Sequence, residues 1–388
     1  MALKLNQIYN IVNDVAKQAW GENAIQAVDL TGVIAMGNKI LSSDADKELF
    51  MNTLVNRIGK TIISTRPYSG FGRNIIKDTM EYGSVIQKIY IEPFEAEVNE
   101  SWNIAKGTEV VQGVVTPPEV KQYLFEVKDV YQFTVTIPDY QINTAFTNES
   151  TLSAFISAVF VSMETSITLS IDNMINMCIA NFIGEKIHYD AQPDNSGVHA
   201  VNLLGLYNSA YGLDLTPEDA IKNQDFLRFA GQQIKIHMKR MESMSTLYNT
   251  EQLKRHTPSD YMNVYLLTDY ASANATYLES DTFNRELVEL PGYTEIPYWQ
   301  GQGENASFTD VSTINVTTSN GHSVNKPYVI GFIFDREALG VFFNRRKATS
   351  FYSPRQEITQ YFEKLDMGYF NDLSENGVVF YLEKEEEI

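Results

Sequence analysis

Residues 151–182 read TLSAFISAVFVSMETSITLSIDNMINMCIANF, a stretch with neither Gly nor Pro. Within it Leu152, Phe155, Ile156, Val159, Met163, Ile167, Ile171, Met174, Ile175, Cys178 and Phe182 recur every three or four positions, the spacing of one helix face. Asn148 or Ser150 can cap its start and Gly184 its end, which predicts a single helix over 151–183, about 50 Å long at 1.5 Å per residue. Only Glu164 and Asp172 are charged along the way, so even the Ser- and Thr-rich face away from the core is weakly solvated. A helix of this length with so few charges is covered by neighbours on most sides.

Upstream, the first 65 residues carry little patterned core, apart from 46–58, where Leu49, Phe50, Leu54 and Ile58 stand at helical spacing; they read as a short helix on a long arm. Gly70, Gly72 and Gly83 then precede two strand-like stretches. The first carries Val85, Gln87, Ile89 and Ile91, the second Phe125, Val127, Tyr131, Phe133, Val135 and Ile137. The polar segment 92–119 between them contains Pro93, Gly107, Gly113, Pro117 and Pro118, which predicts an elongated hairpin with an irregular tip. An isolated two-stranded ribbon is barely stable in water, so another molecule is its simplest stabiliser; folding back onto its own domain is the alternative.

Downstream, 185–216 is loop-like, and a helix is expected from Pro217 to about Met244, capped by Thr216 and with Glu218 and Asp219 on its positive end. A strand at 262–268, a helix at 269–278 and a loose stretch at 301–321 suggest a small α/β domain. Strands at 328–334, 339–344, 358–365 and 377–382 are expected to pack back on the long helix, ahead of the acidic tail 383–387.

The whole chain of 388 residues, 44% hydrophobic and 20% charged, can bury a sizeable core. Thirty Lys and Arg against 49 Asp and Glu give a net charge of −19, which disfavours a main surface that grips nucleic-acid phosphates. The one cysteine, Cys178, permits neither a disulfide framework nor a cysteine zinc site. Apolar runs such as 154–161 fall short of the roughly 20 residues that span a bilayer, and the amino terminus lacks a secretion pattern, so a soluble, cytosolic chain with no membrane partner is expected.

Enzyme motifs fail in turn. Gly59, Lys60 and Thr61 lack the upstream glycine of a phosphate loop, having Leu54 there, and read as a helix end. His188, His199, His237, His256 and His322 are not spaced for helix-borne zinc, and Cys178 lies on an apolar stripe. The acid pairs Asp214 with Glu218 and Glu92 with Glu95 are no closer than chance gives among so many carboxylates. Tyr298 and Trp299 could stack a sugar but read more simply as a strand-end anchor. Sequons such as Asn99, Asn148 and Asn274 carry no weight without secretion, and the basic clusters 235–240 and 345–347 read as solvated faces or intersubunit partners. No catalytic, cofactor-binding or metal residue is assigned, and no cofactor is expected.

The order of parts, an arm, a long hairpin, a low-charge helix, an inserted α/β domain and returning strands, resembles the Hong Kong 97 fold of tailed-bacteriophage major capsid proteins. Residues 50–63, FMNTLVNRIGKTII, followed by Phe71, Gly72 and GSVIQKIY at 83–90, are similar to the run into the extended loop of small podophages of the phi 29 type. The tracts 155–176 and 342–380, with Asn344, Pro354 and Arg355, are also similar. The resemblance implies an α+β capsid fold with an amino-terminal arm at 1–65 and an extended loop at 66–140. A peripheral domain would take 141–212 and 336–388, with spine helix 151–183, and an axial domain 213–335. The immunoglobulin-like domain of phi 29 capsid proteins has no counterpart expected after Leu382. Lys77, Lys88 and Lys106 fall in the loop region, yet no motif marks a crosslink.

By the same resemblance, the chain is expected to be a structural protein of the virion, not an enzyme. It would assemble in the host bacterial cytoplasm with many copies of itself, as hexamers and pentamers, together with scaffold and portal proteins. The resulting icosahedral or prolate head would enclose double-stranded DNA without sequence-specific contact. The alternatives are an encapsulin-like compartment, an acidic carbohydrate-active enzyme and a tail or baseplate protein.

Overall fold

A computed structural model describes residues 5–21, 85–94, 117–126, 129–138, 149–193, 197–279, 292–300 and 307–384, with scattered positions between these stretches. Of the expected helix at 46–58, Asp46 and Leu49 are helical and the other positions lie outside the described residues, as do the phosphate-loop look-alike at 59–61, most of the hairpin tip, Asn99, Asn148 and the side chains of 149–164 and 344–346.

The elements run α1 (Leu5–Trp20), β1 (Val85–Ile91), β2 (Val120–Glu126), β3 (Asp129–Pro138), α2 (Glu149–Asp190), β4 (Ala200–Asn202), α3 (Leu203–Tyr211), α4 (Pro217–Ala220) and α5 (Gln224–Met241). They continue with β5 (Met262–Leu267), α6 (Thr268–Asn274), β6 (Thr294–Ile296), α7 (Phe308–Ser312), β7 (Ile314–Thr317), β8 (Ser323–Lys326), β9 (Val329–Asp335), β10 (Leu339–Ser353), β11 (Ile358–Asn371) and β12 (Gly377–Tyr381). The chain divides into two compact units, one of Met1–Gly83, Val127–Ile175 and Phe342–Gly368, the other of Ser84–Glu126, Asn176–Val341 and Tyr369–Ile388.

In the first unit, a three-stranded sheet has the order β10-β11-β3. β3 alternates as the sequence promised: Val130, Gln132, Thr134 and Thr136 are exposed, while Tyr131, Phe133, Val135 and Ile137 face inward. Opposite them on antiparallel β11 stand Leu365, Glu363, Tyr361 and Thr359, all buried. Two sequence expectations are corrected here. The run 125–137 is not one hairpin arm, because β2 ends at Glu126 and pairs with β1 while β3 pairs with β11. Alternation predicts a strand's two faces but carries no information on its partner. Nor is the amino-terminal segment without patterned core: α1 buries Val15 and Ala16 completely, and Ile8, Ile11, Val12 and Val15 have the spacing that foretells it. Gly21, at φ 87°, ends that helix, its amide donating to the Lys17 carbonyl.

The second unit is built on a five-stranded sheet, β4-β12-β9-β5-β6, with β12/β9 and β9/β5 antiparallel and β4/β12 and β5/β6 parallel. Every residue of central β9 is buried. Ile330 and Ile333 join Val264, Leu266, Val378 and Phe380 against α3 and α5, which contribute Leu203, Leu204, Phe226, Leu227 and Ile234. On the other side Phe332 and Phe334 meet Phe182 of α2 at centroid distances of 6.0 and 6.4 Å. Each such aromatic is worth about 1.5–3 kcal/mol by burial alone.

The long helix is present but longer than expected, running past Gly184 to Asp190. Gly184 is not a terminator; a Cβ there would lie 2.8 Å from Val316 Cγ1 and 3.1 Å from Thr318 Cγ2, so its role is to let the β7–β8 hairpin approach the helix. All ten residues 178–187 are buried, in keeping with the shortage of charge. The helix expected from Pro217 breaks in two: the Thr216 hydroxyl caps α4 through the Asp219 amide, and Asn223 re-caps the chain at α5 through the Asp225 and Phe226 amides.

Candidate assembly interface

The β1–β2 ribbon has two faces of different chemistry, fixed by its register of Val85 with Glu126 to Ile91 with Val120. Lys88, Tyr90, Tyr123 and Phe125 point to the body of their own unit. The Lys88 ammonium donates to Asp372 at 2.7 Å and lies 2.5 Å from Glu375, whose carboxylate also accepts from Arg255 at 2.5 Å. Tyr90 donates to the Lys254 carbonyl at 3.1 Å beneath the Arg255 guanidinium, and Tyr123 donates to Glu251 at 2.5 Å. Phe125 packs on Phe370 with centroids 4.8 Å apart.

Beneath this anchor lies Lys186, completely buried on α2, its ammonium donating to the Tyr248 carbonyl at 2.8 Å. Burial pushes its pKa down to about 7, against the pull of Asp372 and Glu375 in the other direction. Burial likewise raises the Glu375 pKa, against the opposing pull of Lys88 and Arg255, each 2.5 Å away. Sequence reading did not find this cluster. Its signal was Lys186, four residues after Phe182 on the same apolar stripe, where a charge has to be partnered.

The opposite face is open and mixed, with Gln87, Gln122 and Glu126 exposed among large aliphatic side chains. Ile89 is 59% exposed, Ile91 56%, Val120 53% and Leu124 60%, and beyond the strand Phe94 reaches 72%. Ile91 and Val120 are direct cross-strand neighbours, whereas Ile89 faces Gln122 and Leu124 faces Gln87, so the apolar side chains touch along a diagonal interrupted by two glutamines. Of the two courses left open by the sequence, the ribbon takes the one that folds back onto its own unit, with its other face exposed.

Other candidates are engaged separately. Asp214 pairs with Lys384 at 2.8 Å, whereas Glu218 accepts from the Tyr328 hydroxyl, so the two acids serve different partners. Trp299 is 1% exposed and donates to the Val329 carbonyl at 2.7 Å, a strand-end anchor with no open ring face. Cys178 is buried against Phe370 and Asn371, and burial raises its thiol pKa to about 12, far from a nucleophile's. His188 stacks on His322 at 3.8 Å, and His322 meets Glu185 at 3.2 Å; no group of three or more metal-ligating side chains occurs among the described residues. Asn274 is 2% exposed and so is closed to glycosylation. Lys88 is committed to its ion pairs, and Lys106 is exposed. No described helix is long and apolar enough to cross a membrane.

The described residues thus form two mixed helix-and-sheet units, the second of which carries a ribbon anchored by one face and open on the other. The chain belongs to the Phi29-like phage major capsid protein family, whose model matches residues 9–381. It is 24% identical to the major capsid protein of Bacillus phage GA-1 over 192 residues, 48% of this chain and 39% of that one. With the major capsid protein of Streptococcus phage Cp-1 it shares 22% over 138 residues, 36% of each. The matched stretches therefore span well under half the length of these relatives. In fold it is similar to a chain of the capsid structure of Staphylococcus phage Andhra, with a TM-score of 0.52 and 9% identity over 83% of this chain and 86% of that one.

Proposed function

We propose that copies of this chain assemble into the closed icosahedral or prolate head of a tailed bacteriophage. Family membership across 9–381 supports this reading, and the observation that carries it is the open face of the β1–β2 ribbon with its large aliphatic side chains. A stripe of Ile, Val and Leu in water is costly to leave bare, and a shell gives each copy a neighbour to cover it. In this reading the ribbon takes the part of the Hong Kong 97 extended loop, α2 that of the spine helix, and the chain is structural rather than enzymatic.

The partners follow by chemistry. The head encloses double-stranded DNA without sequence-specific contact, and a net charge of −19 leaves the chain little overall attraction for the packaged phosphates. Scaffold and portal proteins complete assembly in the bacterial cytoplasm. Negative-stain imaging of the purified chain, alone and with a scaffold, tests the proposal: closed particles are the expected result. Monomers under every assembly condition, or elongated trimers, overturn it, and particles that hold a cargo enzyme and no DNA turn it toward a compartment shell.

A further inference from the structure

A second surface of the same unit is complementary to the ribbon's end in both charge and polarity. A groove of about 970 Å³ runs along α5, lined by Arg228, Lys235, Lys239 and Arg240, with Ile236 and Leu247 among its apolar walls. In a chain with 19 more acids than bases, four cations on one groove stand out. Among the described residues Arg228 pairs with the exposed Asp225 at 3.4 Å, and Lys239 with the half-buried Glu242 at 2.8 Å, neighbours on the helix or at its end. Such pairs are weak and readily exchanged. Lys235 and Arg240 make no ion pair among the described residues.

The matching segment follows β1. Residues 92–100 read EPFEAEVNE, with Glu92, Glu95, Glu97 and Glu100 and no basic residue. Phe94 in its midst is 72% exposed, so it does not occupy the groove of its own chain. We infer that the α5 groove seats the acidic, Phe94-bearing segment 92–100 of a second copy of this chain. The inference rests on the shell reading for its second copy, and adds the partner surface and the recognition chemistry. Phe94 enters between Ile236 and Leu247, and the flanking carboxylates replace Asp225 and Glu242 as partners of the groove cations. Duplex phosphates would also be attracted to four cations, but they offer nothing to the apolar walls.

The test is fluorescence anisotropy of a labelled peptide of residues 89–101 titrated with the full unassembled chain. Saturable binding is expected, at least tenfold weaker for a Phe94→Ala peptide and for chain carrying Lys235→Glu with Lys239→Glu. Arg228→Glu with Lys239→Glu, both at exposed positions, supplies a second variant whose fold is checked by circular dichroism. Absence of binding up to millimolar concentration, binding indifferent to the groove variants, or equal binding of the Phe94→Ala peptide overturns the inference. Displacement of the peptide by a short DNA duplex that binds the groove more tightly also overturns it, in favour of nucleic acid. Closed particles in negative stain combined with any of these results leave the shell reading standing, whereas the absence of particles removes that reading whatever the peptide does.

Discussion

The Lys88 ammonium lies 2.7 Å from the Asp372 carboxylate, tying β1 to the turn between β11 and β12. Asp372 is 2% exposed and takes its cation from Lys88, whereas Glu375 beside it, 8% exposed, shares Lys88 with Arg255. Lys88→Ala is expected to destabilise the second unit by about 2 to 3 kcal/mol, at or below the range for a fully buried pair because Lys88 keeps some solvent. The check is the urea midpoint together with hydrogen exchange of 85–91 and 120–126; an unchanged midpoint and unchanged protection would show that Tyr90, Tyr123 and Phe125 hold the ribbon without Lys88.

The outward stripe should behave in the opposite way. Ile89→Asp with Leu124→Asp alters side chains that are 59% and 60% exposed, so the unfolding free energy is expected to fall by no more than about 1 to 2 kcal/mol, chiefly from lost strand propensity. Particle yield should fall at least tenfold. Full yield from this double variant, counted by electron microscopy, would separate assembly from the ribbon.

Stability should depend on pH through Lys186 and His237. Both have folded pKa values pushed down by burial, to about 7 and about 4, below their unfolded values of 10.5 and 6.5. Between folded and unfolded values the unfolded chain binds more protons, so stability rises with pH from about 7 toward 9, with a slope of at most about 1.4 kcal/mol per pH unit from the lysine. It falls as the pH drops from about 6.5 toward 4 as His237 is forced to charge. Lys186→Met should flatten the alkaline limb of urea midpoints measured from pH 7 to 9; an undiminished slope would assign it to other groups.

Gly377 is a steric requirement. A Cβ at this position would lie 2.6 Å from Phe182 Cζ, so Gly377→Ala is expected to cost about 1–3 kcal/mol by overpacking. Phe182→Leu in the same chain should recover part of the loss, and additive losses in chemical denaturation would contradict the contact.

Ile167 is 8% exposed inside α2, and Ile167→Pro removes a helical hydrogen bond as well as buried surface. A loss of about 3 kcal/mol or more is expected, together with particle formation, by thermal unfolding and electron microscopy.

Legibility in the sequence followed the range of the interactions. α2, β3 and β9 were readable because their period is set by burial on one or all sides of the element itself. The partner of β3 was not, since Tyr131 and Phe133 reveal an inward face without naming Leu365 and Glu363, more than 200 residues away, as its neighbours. Gly184 misled for a similar reason: a glycine at a helix end and a glycine beneath Val316 look alike until the third element is in place. The anchor of the ribbon was half visible in Lys186, but its acids sit in the polar turn at 372–376, where Asp and Glu are ordinary. The outward stripe was legible as alternation, and only the fold of the unit shows which half of that alternation is left for another molecule.

Cys178 is the sole thiol of the chain, sealed beneath Phe370 and Asn371 and held protonated to about pH 12. The folded protein therefore presents no accessible thiol to maleimides. A cysteine introduced on an outward position, such as Lys106, becomes a unique chemical handle, so dyes, gold or cargo can be attached at one defined point per copy without first mutating the original residue.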